Sequence, residues 1–151
     1  MTAIQSYIAR IDAVEAQRQR FYGPESREDV WGGDTAQVFR ADPQRSLDAN
    51  LTIIASYLQP EDVFVDVGGG AGRVSLPMAR RCREALTVDP SSGMAAEFQS
   101  LAKENGISNA SIIPSSWVDA ESVYGDVVFT ADVTYFVRDI EGFIKKMGLR
   151  A

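Results

Sequence analysis

The sequence Asp66-Val67-Gly68-Gly69-Gly70-Ala71-Gly72 decides the fold, and it directly follows the apolar run Val63-Phe64-Val65. A short apolar run rich in β-branched residues is typical of a strand that is buried on both faces, as in a parallel sheet. Apolar residues at positions 74, 76, 78 and 79 then favour a helix to about residue 83, with Pro77 in its first turn or two. A strand, a glycine turn and a helix in this order indicate the start of a βαβ unit.

The same alternation of strand and helix patterns continues along the chain. Apolar runs predict strands at residues 85–88, 110–113 and 126–130, a helix at 91–105 and a short helical connection around 117–123. A last helix is indicated by apolar residues at helical spacing between positions 140 and 147. Right-handed crossovers join such units into an open parallel sheet with helices on both faces, so the predicted fold class is α/β.

The first 59 residues carry a different pattern and are expected to form a helical cap or lid beside a core of residues 60–151. Apolar residues at 4, 8, 11 and 14 predict a helix over residues 3–20, which ends near Gly23-Pro24. Residues 23–42 read as an irregular segment that could cover a site. A second helix is expected to begin at Pro43, with Asp42 as its N-cap, and to stop at Pro60.

Composition excludes several classes of chemistry. The 151 residues are enough for one folded domain, and the formal charge of −6 disfavours a nucleic-acid partner, which needs a surface rich in lysine and arginine. With no histidine and with Cys82 as the only cysteine, the chain cannot form a Ser-His-Asp triad, an internal disulfide or a multi-cysteine zinc site, and no metal is expected. No apolar run is long enough to cross a bilayer, so the expected location is cytoplasmic, without a membrane partner.

The glycine turn itself favours one kind of ligand. The dinucleotide pattern GxGxxG is not met, because counting from Gly68 its last position is Arg73, and the carboxylate of Asp66 would repel a pyrophosphate. An NAD-binding oxidoreductase domain is therefore disfavoured. A cofactor that carries a sulfonium and an amino group would instead be attracted by Asp66.

Polar residues follow each of the predicted strands. Asp89 ends the second strand, and its carboxylate can accept two hydrogen bonds from the vicinal hydroxyls of a ribose. Ser115 follows the third strand and Thr130 ends the fourth. Because ligands of open α/β sheets bind at the carboxyl ends of the strands, we expect these side chains to gather with Asp66 at one crevice.

In these motifs, over about residues 60–147, the sequence resembles the class I S-adenosylmethionine-dependent methyltransferases of the small-molecule type, whose fold is Rossmann-like. The resemblance implies S-adenosyl-L-methionine as cofactor, a small-molecule methyl acceptor, and no assigned catalytic residue. It implies that Asp66 and the glycine turn hold the methionine portion and that Asp89 holds the ribose, while Trp117 either borders the adenine or only closes the core. The full set of implied cofactor-binding residues is Asp66, Gly68, Gly69, Gly70, Gly72, Asp89, Pro90, Met94, Ser115, Ser116, Trp117, Thr130 and Ala131.

Several points are left open by the resemblance. No Asn-Pro-Pro-Tyr or Asp-Pro-Pro-Tyr sequence follows the fourth strand, so the enzymes that methylate amino groups of nucleic-acid bases are not matched. The chain ends after the helix that follows this strand, so we expect the N-terminal portion of the family's fold, with an open sheet edge that a second copy or a partner segment covers. A catalytically silent module that binds cofactor or a partner is the alternative function. Candidates for a base are Asp132, Tyr135 and Tyr22, and candidates for a substrate lid are Tyr22, Trp31, Phe39 and Arg40.

Overall fold

The computed structural model describes residues 1–23 and 29–148, which form an α/β fold around one parallel sheet. The helices are α1 (Ala3–Tyr22), α2 (Asp34–Val38), α3 (Ala49–Ser56), α4 (Ser75–Ala79), α5 (Ser92–Glu104) and α6 (Ile140–Lys146). The strands are β1 (Val63–Val67), β2 (Glu84–Val88), β3 (Ala110–Ile113) and β4 (Val127–Thr130). Among these residues the strand order is β3-β2-β1-β4 and every pairing is parallel, which confirms the predicted fold class.

The centre of the sheet is β1, all of whose residues are buried, as its apolar sequence predicts. On one face Phe64 packs with residues of α3 and α4, and on the other Val65 packs with Trp117 and Phe143. Pairing places Val67 opposite Val88 on one side and opposite Thr130 on the other. The carboxyl ends of three strands therefore meet at the start of the glycine turn.

The described residues of the N-terminal segment contain one helix more than the sequence predicts. The predicted first helix is confirmed as α1, which begins with a capping box between Thr2 and Gln5 and ends at Gly23, while Pro24 lies outside the described residues. The expectation of an irregular segment over 23–42 is wrong in part, because α2 forms within it. The α2 helix packs against α5, where Arg40 forms an ion pair with Glu97.

The predicted second helix begins later than expected. Asp42 does not cap it; instead, the Asp42 carboxylate accepts from the amide of Gln44 at 2.8 Å and closes a tight turn. The N-cap of α3 is Asp48, whose carboxylate accepts from the amide of Leu51 at 2.9 Å. Residues 43–48 are consequently a connection rather than the first turns of a helix.

Two further differences lie on the carboxyl side of the core. The connection at residues 117–123 contains turns and no helix, and α4 ends at Ala79, earlier than predicted. A 3-10 helix at Thr134–Phe136, which the sequence pattern did not predict, follows β4.

Within the described chain β4 is an edge strand. No described helix is long and apolar enough to span a membrane. The predicted boundary between a cap at residues 1–59 and a core at residues 60–151 stays a prediction. Residues 149–151, at the end of that core, lie outside the described residues.

Candidate functional site

A cleft of about 1140 Å³ opens at the carboxyl ends of β1, β2 and β4. Its volume lies slightly above the usual range for small-molecule sites, roughly 300 to 1,000 Å³. The cleft is where the topology of an open parallel sheet places a ligand. The predicted cofactor residues that line it are Asp66, Gly68, Gly69, Gly70, Asp89, Pro90, Met94, Ser116, Trp117 and Ala131.

The glycine turn forms the floor of the cleft and keeps its backbone open to a ligand. Gly70 has a φ of 53°, in the left-handed region, and a Cβ there would lie 3.3 Å from the Met94 sulfur. A Cβ at Gly69 would lie 2.5 Å from Oδ2 of Asp66. A side chain at position 69 would therefore collide with the Asp66 carboxylate, and one at position 70 would be strained and would crowd Met94, so both positions favour glycine.

Asp66 is the central polar residue of the site. Its side chain is only 2% exposed, and its Oδ2 atom is the one buried side-chain polar atom in the described chain that lacks a hydrogen-bond partner. The pKa of Asp66 is raised to about 7, mainly by burial and in smaller part by the charge of Asp89, while hydrogen bonds from Ser75 act in the opposite direction. A buried, unsatisfied carboxylate oxygen favours a ligand that brings a donor or a positive charge.

Asp89 is held in place by two backbone amides. Its Oδ2 accepts from the amide of Gly70 at 3.0 Å and its Oδ1 from the amide of Ser91 at 2.9 Å. Burial raises the pKa of Asp89, and these two hydrogen bonds oppose the rise. Each carboxylate oxygen can accept a further hydrogen bond, so the pair of oxygens can receive two neighbouring hydroxyls.

Three of the predicted cofactor residues do not line the cleft. A Cβ at Gly72 would meet Leu76, so this glycine allows the turn to pack on the core. The Thr130 hydroxyl donates to the carbonyl of Val67 at 3.0 Å and joins β4 to β1. Ser115 donates to the carbonyl of the next residue at 3.1 Å.

Trp117 lies both in the core and at the cleft. It is only 5% exposed, and its indole nitrogen donates to the carbonyl of Phe143 at 3.3 Å, which makes it part of the core. It also lies at the wall of the cleft. Its contact with an adenine stays a prediction.

Asp29 makes a contact next to the site that sequence reasoning missed. Its Oδ2 accepts from the Ser91 hydroxyl at 2.9 Å, the Ser92 hydroxyl at 3.2 Å and the Gly93 amide at 2.9 Å, at the start of α5. This contact ties the N-terminal segment to the turn that follows Asp89. Asp29 lies more than sixty residues before α5 in the sequence. The only sequence signal for this contact was therefore the general preference for a carboxylate at a helix N-terminus.

Aromatic side chains from two distant segments form the outer wall of the cleft. The Trp31 ring lies edge-on to Phe39 at 5.7 Å and to Phe136 at 5.4 Å between ring centroids. Tyr135 lies 4.2 Å from Phe136, and all four rings line the cleft. Of the lid candidates Trp31 and Phe39 are therefore at the cleft, Arg40 lies at α5, and Tyr22 is exposed at the end of α1.

A family model described as a methyltransferase domain matches residues 65–148, which is more than half of the chain. The chain belongs to this methyltransferase domain family. The matched residues begin in β1 and include the glycine turn, Asp89 and α6. No curated protein sequence matches the chain.

Several solved structures, methyltransferases among them, share the fold of this domain. The YcgJ protein from Bacillus subtilis is similar over 64% of the chain and 43% of its own length, with 19% identity and a TM-score of 0.60. Geranyl diphosphate C-methyltransferase from Streptomyces coelicolor, solved with S-adenosyl-L-homocysteine, is similar over 79% of the chain and 46% of its own length, with 20% identity and a TM-score of 0.58.

An rRNA methylase from Streptococcus thermophilus is also similar, over 69% of the chain and 66% of its own length, with 16% identity and a TM-score of 0.55. The chain thus spans less than half the length of the first two proteins and about two thirds of the third. These likenesses show the Rossmann-like methyltransferase fold, and the acceptors differ among the proteins that share it.

Proposed function

We propose that the chain binds S-adenosyl-L-methionine in the cleft and transfers its methyl group to a small-molecule acceptor. The observation that carries the proposal is the unpartnered Oδ2 of Asp66, buried beside an open glycine turn in a methyltransferase domain. A sulfonium and an ammonium group are the positive charges that such a carboxylate would receive.

The residues of the cleft fit the parts of this cofactor. Asp66 and the glycine turn at residues 68–70 would hold the methionine portion, and Asp89 would accept hydrogen bonds from the two ribose hydroxyls. The residues that would border the adenine are among those that line the cleft, namely Pro90, Met94, Ser116, Trp117 and Ala131. The double role of Asp89, which also holds the amide of Gly70, would couple ribose binding to the shape of the turn.

The cofactor supplies an electrophilic methyl group on sulfur. The chain's own contribution is to orient an acceptor in line with that group and to exclude water, since alignment accounts for much of the rate of such displacements. The aromatic wall formed by Trp31, Phe39, Tyr135 and Phe136 is suited to water exclusion. A small-molecule acceptor is favoured over RNA because the chain has a net charge of −6.

Calorimetric titration of the chain with S-adenosyl-L-homocysteine, with NAD as the control ligand, tests the cofactor. We expect saturable binding of S-adenosyl-L-homocysteine only. Binding of NAD alone, or of neither ligand by a folded sample, would contradict the proposal. If the cofactor binds, a screen of small acceptors for release of S-adenosyl-L-homocysteine then separates an enzyme from a silent binding module.

A further inference from the structure

Among the carboxylates that line the cleft, Asp132 has a distinct environment. Asp48 and Asp139 cap helices, Asp119 pairs with the Ser116 hydroxyl, and Asp89 holds two amides. Asp132, in contrast, is exposed and makes no hydrogen bond or ion pair with any described residue.

The backbone holds Asp132 in an unusual conformation. Its φ of 55° lies in the left-handed region, which residues other than glycine rarely adopt, although aspartate and asparagine tolerate it. Such conformations occur often at functional sites, where the surrounding structure maintains them. Here both neighbouring segments are anchored, because Thr130 bonds to the carbonyl of Val67 and Val133 packs against Gly68.

These anchors place Asp132 between the glycine turn and the aromatic wall. Val133, on its carboxyl side, touches the turn, and the ring pair Tyr135 and Phe136 follows in the 3-10 helix. The half-exposed rings of Tyr135 and Phe136, with Trp31 packed edge-to-face on Phe136, give this cleft an apolar aromatic lining. A free carboxylate in a cleft that aromatic rings also line is the combination that recognises organic cations.

We propose that the methyl acceptor is an amine, bound as an organic cation by Asp132 and the aromatic wall. This inference rests on the proposed function and names the substrate class of the same site. The Asp132 carboxylate accepts the proton that the nitrogen must release before its lone pair forms the C–N bond, while the C–S bond breaks and sulfur keeps its electron pair. Because Asp132 is exposed, the proton then passes to water.

A charge series of equal shape tests the inference on the full chain. The probes are choline, its neutral carbon isostere 3,3-dimethylbutan-1-ol and the anion 3,3-dimethylbutanoate. Each is titrated into ¹⁵N-labelled protein, with and without saturating S-adenosyl-L-homocysteine, and followed by NMR shifts of residues 31 and 131–137. We expect choline to bind about tenfold more tightly than the alcohol, with the anion weakest.

Matched variants identify the group responsible. Asp132→Asn keeps the shape and the tolerance of a positive φ, and it should reduce the preference for choline to about threefold or less. Glu121→Gln removes an equal charge from an exposed loop outside the cleft and should leave the preference for choline unchanged. Equal or tighter binding of the alcohol or the anion, no binding of any probe, or an unchanged preference in Asp132→Asn would overturn the inference. Because the probes are also read without cofactor, failure of cofactor binding is a separate result.

Discussion

Replacement of Asp66 by asparagine should change the pH dependence of stability in the ligand-free protein. The pKa of this carboxyl rises from 3.8 to about 7 on folding because the side chain is buried. The folded state therefore binds more protons than the unfolded state between about pH 4 and 7, so stability falls as pH rises through this window. Above pH 7 the full cost of burying the ionised carboxylate is present. The rise of the pKa from 3.8 to about 7 corresponds to about 4 kcal/mol of unfolding free energy.

The expected magnitude follows from the part of this window that an experiment can cover. Between pH 5 and pH 8 the wild-type protein should lose roughly 2 to 3 kcal/mol of unfolding free energy through Asp66, and Asp66→Asn should not. The asparagine amide would itself be buried, which costs about 1 to 3 kcal/mol if it finds no partner. That cost is independent of pH, so the difference between the two pH values isolates the carboxyl.

Urea unfolding of wild type and Asp66→Asn, followed by circular dichroism at pH 5 and pH 8, measures this difference. Glu121→Gln, which removes one charge from an exposed loop, is the control and should behave like wild type. If Asp66→Asn changes stability by the same amount at both pH values, the carboxyl is not held neutral by burial. The account of its unpartnered oxygen would then be wrong.

Three further predictions concern ligand binding. Asp89→Ala should weaken binding of S-adenosyl-L-homocysteine by roughly 1 to 3 kcal/mol in calorimetry, the scale of hydrogen bonds to a charged group, and unchanged affinity in a folded variant would remove Asp89 from the site. Gly70→Val should abolish this binding, since its Cβ would enter the cleft beside Met94 at a φ of 53°; normal binding would mean that the turn is misplaced. Binding should also release protons near pH 7, because the ligand's ammonium would lower the pKa of Asp66 from about 7. Calorimetry in buffers of different ionisation enthalpy measures this release, and a buffer-independent enthalpy at pH 6.5 would count against an Asp66 contact.

The core of the fold could be predicted from the sequence because its signals are local. The apolar run of β1, the glycines after it and Asp89 at the end of β2 each lie within a few residues of the structure they specify. Pairing, burial and the crevice then follow from the rules of parallel sheets. For the same reason the position of Asp66 and Asp89 at one cleft was accessible without a structure.

The errors arose where two local signals compete or where the contact is distant. Asp42 and Asp48 are both suitable N-caps, and only the turn that Asp42 closes with Gln44 leaves the role to Asp48. The hydrogen bonds from the start of α5 to Asp29 join residues more than sixty positions apart, and no pattern in the sequence indicates such a contact. The left-handed backbone at Asp132 depends on packing of its neighbour Val133 against Gly68.

The carboxylates at the centre of the site affect one another, and this interaction links folding to ligand choice. Burial is the main cause of the raised pKa of both Asp66 and Asp89, and a neighbouring charge adds to each rise, that of Asp89 at Asp66 and that of Asp29 at Asp89. The folded chain therefore concentrates negative potential at the glycine turn at a cost in stability. A ligand that carries a diphosphate would increase this cost, whereas one that carries an ammonium or a sulfonium would remove it. The electrostatics that make the ligand-free domain less stable above pH 7 are thus the same ones that favour a cationic cofactor.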